Sequence, residues 1–162
     1  MAYKVLNNIG LIDTSTNALT SLKTGLLVIV VNKDTNKDSA FKDLNKVSKS
    51  YISKTITSHL KDSGSSILLP KIDGIEAENI MLVKGLDANA PMHKWISSYQ
   101  AIAKKANSIN AKDLSIMSGA ISPSGKDELW LIEMIAKTVE SNVYIFSETK
   151  NKTAKKPSVK KL

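Results

Sequence analysis

The chain has 162 residues, which fits one domain able to bury roughly 70% of the surface that the unfolded chain exposes. It contains no cysteine, and this excludes a disulfide framework, thiolate catalysis and a cysteine-based zinc site. Most of the formal charge of +8 comes from residues 150–162, which hold six lysines and no acid and leave only +2 for residues 1–149.

The start of the chain predicts neither export nor membrane insertion. Residues 1–8 lack the basic start and the long apolar segment of a signal peptide. The longest apolar run has six residues, far fewer than a bilayer-spanning helix needs. We therefore expect a cytoplasmic protein with no membrane partner. Residues 3–6 predict a short strand, and the polar residues up to 21 predict an irregular connection.

The apolar run Leu26–Val31 predicts the central strand of the domain. It is unbroken and rich in β-branched residues, with Gly25 before it and Asn32 after it. A half-buried strand would alternate between apolar and polar residues, so an unbroken run indicates a strand covered on both faces.

The next periodic segment predicts an amphipathic helix capped by Asp38 or Ser39. Small polar residues at 48–53 predict a bend in it, and residues 62–64 end it. Apolar residues recur along it in steps of three and four: Phe41, Leu44, Val47, Tyr51, Ile52, Ile56 and Leu60.

The rest of the chain alternates strands with helices. Strands are predicted at 67–69, 79–83 and 114–117. A helix over 92–109 is predicted with Asn89 as its cap and Pro91 in its first turn, and a last helix with an apolar stripe over 129–143 is predicted to open at Ser122 and Pro123. Alternation of this kind predicts an α/β fold of three layers, α/β/α, with a mostly parallel mixed sheet and helices on both faces. We assign residues 1–146 to this domain and residues 147–162 to a lysine-rich linker.

One loop is a candidate ligand site. Residues 119–126 leave a predicted strand and enter a helix, where backbone N–H groups and the helix dipole can hold an anion. The residues proposed for it are Gly119, Ser122, Ser124, Gly125 and Lys126. The loop does not match the phosphate-binding motif G-x-x-x-x-G-K-[ST], because Asp127 stands where the hydroxyl residue should be.

No catalytic or metal-ligating constellation is predicted. His93 has no histidine or carboxylate three or four residues further on, and Asp62, three residues after His59, lies in the segment that ends the predicted helix, so neither histidine forms a helical metal pair. The acids Asp73, Glu76 and Glu78 lack the dense oxygen spacing of a calcium loop. No serine lies in a G-x-S-x-G motif.

Two segments carry a family resemblance. Residues 67–74 (ILLPKIDG) and 78–87 (ENIMLVKGLD) precede a helix with Trp95 and Tyr99, and the last helix runs into a segment with Tyr144 and Phe146 and the lysines that follow. Together they resemble the N-terminal domain of the cytosolic leucyl aminopeptidases. Asp87 departs from the pattern, since the family has a glycine there.

The resemblance implies a macro-domain-like fold and a larger metallopeptidase that removes N-terminal residues from peptides. It implies two divalent metal ions, zinc or manganese, held in a C-terminal catalytic domain, with no catalytic or metal residue in this chain. The expected role is assembly and active-site access in a homohexamer. Some bacterial relatives also bind DNA, so DNA is a further possible partner.

Two alternative functions remain open from the sequence. One is a stand-alone macro-like module that binds a nucleotide or ADP-ribose at residues 119–126. The other is a nucleic-acid accessory domain that uses the lysines of residues 150–162 to neutralise phosphate. The chain has no arginine for bidentate contacts to guanine, so such binding would be non-specific.

Overall fold

A computed structural model of the chain describes residues 5–7, 10–12, 18–117 and 121–143. The strands in these residues are β1 (Val5–Asn7), β2 (Gly10–Ile12), β3 (Leu26–Val31), β4 (Ser66–Pro70), β5 (Asn79–Lys84) and β6 (Leu114–Met117). The helices are α1 (Ser39–Val47), α2 (Tyr51–His59), α3 (Met92–Ser108) and α4 (Glu128–Val143), with short 3₁₀ turns at Leu19–Ser21 and Thr35–Lys37.

The main sheet has the strand order β4-β5-β3-β6. The central strand β3 runs parallel to β5, with Leu27 opposite Ile80, and parallel to β6, with Leu26 opposite Leu114. The edge strand β4 is antiparallel to β5. This mixed, mostly parallel sheet confirms the predicted fold class.

Two separate apolar cores cover the two faces of β3. Leu26 and Val28 point to one face, where α3 and α4 pack, whereas Leu27 and Ile29 point to the other face, where α1 and α2 pack. All four side chains are fully buried. The alternation follows from the period of two residues in a strand, and the prediction of a strand covered on both faces is confirmed.

The helix predicted over residues 39–60 is in fact two helices. Asp38 caps α1 as expected, because its side chain accepts a hydrogen bond of 3.1 Å from the backbone N–H of Phe41. The chain then breaks at Lys49 and Ser50, which both have left-handed backbone conformations, with φ of 50° and 63°. The bend was predicted at this place, but two successive left-handed residues end a helix rather than bend it.

The starts of two other helices differ from the prediction. The N-cap of α3 is Pro91 rather than Asn89, since the Asn89 N–H instead donates to the Asp87 side chain in the preceding turn. The last helix starts at Glu128 rather than near Ser122, because residues 123–126 form a turn in which the Lys126 N–H donates to the Pro123 carbonyl. At the other end of the chain, β1 pairs with β2 in a two-stranded sheet that was not predicted, and residues 3–4 of the expected first strand lie outside the described residues.

Candidate functional site

The topology of the sheet creates a crevice at one edge. The carboxyl ends of β3, β5 and β6 share this edge because the three strands are parallel. The segment after β3 leads to α1 on one face, whereas the segments after β5 and β6 lead to α3 and α4 on the other. Loops that leave neighbouring strands in opposite directions open a gap, which is the usual ligand position in open α/β sheets.

A cleft of about 550 Å³ occupies this gap between the ends of β3 and β5. Its lining comes from residues 31–34 at the end of β3, residues 84–88 at the end of β5, and Ser63, Ile121 and Ser122. A second hollow of about 330 Å³ lies on the β6 side of the β3 end and includes Thr35 and Met117 in its lining. The larger volume falls in the range of small-molecule sites in proteins.

The floor of the cleft depends on Gly85. Its backbone N–H donates a hydrogen bond of 2.7 Å to the carbonyl of Val31, which joins the exits of β5 and β3. A Cβ atom at this position would lie 3.0 Å from that same carbonyl oxygen, closer than side chains normally approach a backbone atom. The close approach of the two strand ends therefore requires glycine at this position.

The polar groups around the cleft are engaged mostly with one another. The Asn32 N–H donates to the buried Thr35 hydroxyl at 2.8 Å, and the Asn32 side chain accepts from the Asp34 N–H at 2.8 Å. The Asp34 carboxylate also pairs with Lys37 at 2.7 Å, and this hydrogen bond and charge lower the pKa of Asp34 and raise the pKa of Lys37. Lys33 and Lys84 are balanced by Asp34 and Asp87 in the lining, so the cleft shows no preference for one sign of charge.

Of the described residues proposed for the anion-binding loop, only Ser122 lines this cleft. Gly119 lies outside the described residues, and Ser122 lines the cleft, but Ser124, Gly125 and Lys126 are exposed. The loop is held to the β5 exit, since the Ser124 N–H donates to the Ala88 carbonyl at 2.7 Å.

The start of α4 next to this loop is already occupied by a carboxylate. The Asp127 side chain accepts from the Trp130 N–H at 2.8 Å, and the Lys126 ammonium lies 5.2 Å from the centre of the Trp130 ring. An anion at this helix end would compete with Asp127 for the free N–H groups. No observation tests ligand binding here, and the loop stays a prediction.

The described residues do not fit a dimetal centre. They contain no group of three or more His, Cys, Asp or Glu side chains that could hold a metal ion. A partly buried carboxylate lies at the opposite edge of the sheet, where Asp113 accepts hydrogen bonds from the Gly25 N–H and the Thr24 hydroxyl and ties β6 to the start of β3. Its role there is structural. In the described part of the chain, no helix is both long and apolar enough to cross a bilayer.

Sequence reasoning missed the cleft itself, although its signals are in the chain. Asn32 and Gly85 each follow directly after a strand that the apolar pattern predicts. Because the carboxyl ends of parallel strands lie at the same edge of a sheet, Asn32 and Gly85 can be placed at one edge from the sequence. The order of the strands was not predicted, and only that order shows which exits are neighbours.

The family of the chain follows from its sequence as a whole. Residues 27–153 match the model of the cytosol aminopeptidase family, N-terminal domain. The chain belongs to this family. None of the curated protein sequences compared with this aminopeptidase domain matches it.

Solved structures share the fold of this aminopeptidase domain. A mutant of tomato leucine aminopeptidase matches with a TM-score of 0.66 and 19% identity over 91% of this chain and 30% of that one. A Trypanosoma brucei macrodomain matches with a TM-score of 0.67 and 9% identity over 92% of this chain and 58% of that one. An Oceanobacillus iheyensis macrodomain mutant matches with a TM-score of 0.59 and 11% identity over 87% and 81%. The macro-domain-like fold is thereby confirmed, and the chain spans less than a third of the tomato enzyme.

Proposed function

We propose that this chain is the non-catalytic N-terminal domain of a cytoplasmic, metal-dependent leucyl aminopeptidase. The observation that carries the proposal is the match of residues 27–153 to the N-terminal domain of the cytosol aminopeptidase family. In this proposal the two zinc or manganese ions, and the groups that cleave the N-terminal residue from a peptide, belong to a C-terminal domain of the same polypeptide. The tomato enzyme, of which this chain covers 30%, has the length that such a second domain needs.

The role we propose for the domain is assembly of a homohexamer and control of access to its active sites. A domain with two covered sheet faces and its own cores is a rigid body that can be placed beside a catalytic domain without losing its fold. Supporting this role, the described helices leave several large apolar side chains exposed, among them Tyr51 at 49% and Leu129 at 42%. Exposed apolar side chains of this kind are available for contact with other domains.

An activity assay tests the first part of the proposal. The purified chain is incubated with leucine p-nitroanilide and with added Mn²⁺ or Zn²⁺, in parallel with the full-length polypeptide from the same gene. We expect turnover by the full-length protein and none by the chain alone. Turnover by the chain alone would refute the assignment as a non-catalytic domain.

The role in assembly needs a separate measurement. Native mass spectrometry of the full-length protein is expected to give a hexamer, and a variant without residues 1–146 is expected to give smaller species. A hexamer of unchanged stability in the truncated variant would rule out the assembly role, and it would leave the activity assignment intact.

A second candidate function is binding of a nucleotide or ADP-ribose. The cleft of about 550 Å³ at the carboxyl edge of the sheet favours it, because ligands of open α/β sheets bind at that edge. The fold shared with macrodomains supports the same idea only at the level of architecture.

Calorimetry with AMP and ADP-ribose tests this candidate. If Ser122 and the loop of residues 119–126 contribute, micromolar binding should be lost in Ser122→Glu and Gly125→Glu. The control is an exposed position on α3, Lys104→Gln, which lowers the net charge by one, as each of the other two variants does. Absence of heat with both ligands, or equal losses in all three variants, would count against the cleft as a nucleotide site.

A further inference from the structure

Two residues of opposite charge line the cleft at the end of β5. Lys84 is the last residue of the strand and is half-buried, whereas Asp87 follows three residues later and is exposed. Neither forms an ion pair with any residue that the structure describes. The lining of the cleft therefore includes an ammonium and a carboxylate that remain available to a ligand.

The Asp87 carboxylate is held in place but keeps a free oxygen. One of its oxygens accepts a hydrogen bond of 2.8 Å from the Asn89 N–H, within the same turn. The other oxygen accepts no hydrogen bond from a described residue. Because the side chain is already ordered, less entropy is lost when this carboxylate binds a cation.

Backbone donors of the same loop are also free. The N–H groups of residues 86–88 donate no hydrogen bond within the described part of the chain. The loop itself is fixed at both ends, since the Gly85 N–H donates to the Val31 carbonyl and the Ser124 N–H donates to the Ala88 carbonyl, each at 2.7 Å. Free backbone donors on a fixed loop suit a small anion such as a carboxylate.

The cleft also has an apolar floor. Val31 belongs to the core on the α1 and α2 side of the sheet, whereas Leu86 and Ile121 belong to the core on the α3 and α4 side. Val31 and Leu86 are only 5% and 8% exposed, so the apolar surface that remains open is small. A short apolar side chain is sufficient to cover such a surface and remove it from water.

We propose that this cleft binds a free apolar α-amino acid, of which leucine is the example. Lys84 and the free N–H groups of residues 86–88 hold the carboxylate of the ligand, and Asp87 holds its ammonium. The side chain of the ligand lies on the apolar floor. A nucleotide diphosphate fits this lining less well, because its negative charges meet the carboxylates of Asp34 and Asp87 as well as the lysines.

Only the choice of leucine as the ligand rests on the function proposed above. An aminopeptidase releases free amino acids, so this site exposes the N-terminal domain to the product of the catalytic domain. Binding to the chain itself does not depend on peptide cleavage. Failure of leucine to bind can therefore be distinguished from failure of the assignment as an aminopeptidase domain.

Calorimetry and NMR spectroscopy of the full chain with L-leucine test the proposal. We expect a dissociation constant below about 1 mM, with changes in the amide shifts of residues 85–88. Glycine lacks the apolar side chain of leucine, leucinamide lacks the carboxylate, and N-acetyl-leucine lacks the ammonium. Each of these analogues should bind about tenfold more weakly than leucine, or worse.

Two variants pair each charge of the protein with one charge of the ligand. Lys84→Met should weaken leucine binding about tenfold or more, and should change leucinamide binding little, because that analogue has no carboxylate to lose a partner. Asp87→Asn should weaken leucine binding by a similar factor and leave N-acetyl-leucine binding almost unchanged. An asparagine at this position can still accept the hydrogen bond from the Asn89 N–H, so the turn is retained.

The matched controls are Lys104→Met and Asp73→Asn. Lys104 is exposed on α3 and Asp73 is exposed in the loop of residues 71–78, and neither lines the cleft. Each control makes the same change of charge as one of the cleft variants. Circular dichroism melting curves check that every variant is folded, and the three ligand analogues decide the matter for any variant that is not.

The proposal is supported if the analogues and the cleft variants show these paired losses and the controls do not. Unchanged amide shifts at residues 85–88 with leucine at up to about 20 mM would overturn it. Equal losses for Lys84→Met and Lys104→Met would overturn it as well, because they would show an effect of net charge alone. Binding of ADP-ribose at these residues that leucine does not displace would assign the cleft to a nucleotide instead.

Discussion

Gly74 lies at the contact between the loop of residues 71–78 and helix α1, and replacing it by alanine tests that contact. Two costs are expected. The backbone is left-handed, with φ of +82°, and a new Cβ atom would lie 2.8 Å from the Val47 Cγ1. The loop cannot simply move away, because Ile75 and Ala77 on its far side are buried at 1% and 0% exposure.

The magnitude follows from these two costs. A left-handed conformation costs a non-glycine residue roughly 1–2 kcal/mol. Part of this, about 0.4–1 kcal/mol, is offset because alanine lowers the entropy of the unfolded chain. Val47 is 38% exposed and can turn away from the new methyl group, at the cost of about 0.5–1.5 kcal/mol for leaving its preferred rotamer. We expect Gly74→Ala to lower the free energy of unfolding by roughly 2 kcal/mol.

Gly64→Ala is the matched control. Its φ is +81°, almost the same as that of Gly74, but nothing lies within 4 Å of the new Cβ atom. It should therefore show the backbone cost alone, roughly 0.5–1 kcal/mol. The double variant Gly74→Ala/Val47→Ala removes the methyl group that the new side chain meets, and about 1 kcal/mol of the loss should be recovered as a coupling energy.

Urea unfolding, followed by tryptophan fluorescence and by circular dichroism, measures the wild type, these three variants and Val47→Ala alone, which completes the double-mutant cycle. The slope against urea should stay constant across the set, so that differences in midpoint report stability. If Gly74→Ala and Gly64→Ala differ by less than about 0.5 kcal/mol, or if the Val47 substitution gives no coupling, the loop does not meet α1 as described.

Three further outcomes are expected. Gly85→Ala should cost about 1–3 kcal/mol in urea unfolding, since its Cβ atom would meet the Val31 carbonyl oxygen at 3.0 Å and a backbone atom cannot turn away; a neutral result would contradict the closed floor of the cleft. Asp127→Ala should lower the free energy of unfolding by about 1 kcal/mol, because it removes the side chain that caps α4. Asp127→Asn should lose much less stability, because the asparagine side chain can still accept the hydrogen bond from the Trp130 N–H. Equal losses in the two variants would mean that the charge of Asp127, and not its hydrogen bond, stabilises the helix. Burial raises the pKa of Tyr99, so the folded state holds this proton where the unfolded state releases it, and stability should fall above about pH 10 by up to about 1.4 kcal/mol per pH unit. Urea midpoints against pH should show a shallower fall in Tyr99→Phe, and an unchanged fall would exclude the effect.

The family prediction rested on the order of weak motifs, and the family match over residues 27–153 confirms it. The predicted role of individual residues was less accurate at the helix ends. Asn89 and Asp127 can both cap a helix, and only the turn geometry decides that Asn89 donates to Asp87 while Asp127 caps α4. The assignment of residues 147–162 to a linker concerns residues outside the described ranges, and it stays a prediction.

The sequence by itself determined the layers of this domain, because burial on two faces leaves a continuous apolar run in a strand and burial on one face leaves a stripe on a helix. These patterns are local and can be read without knowing which elements meet. The cleft and the break between α1 and α2 were decided only by the tertiary structure. The cleft needs the order β4-β5-β3-β6, which places Gly85 against Val31 across more than fifty residues of chain. The break between α1 and α2 needs two left-handed residues, Lys49 and Ser50, which divide one predicted helix into two.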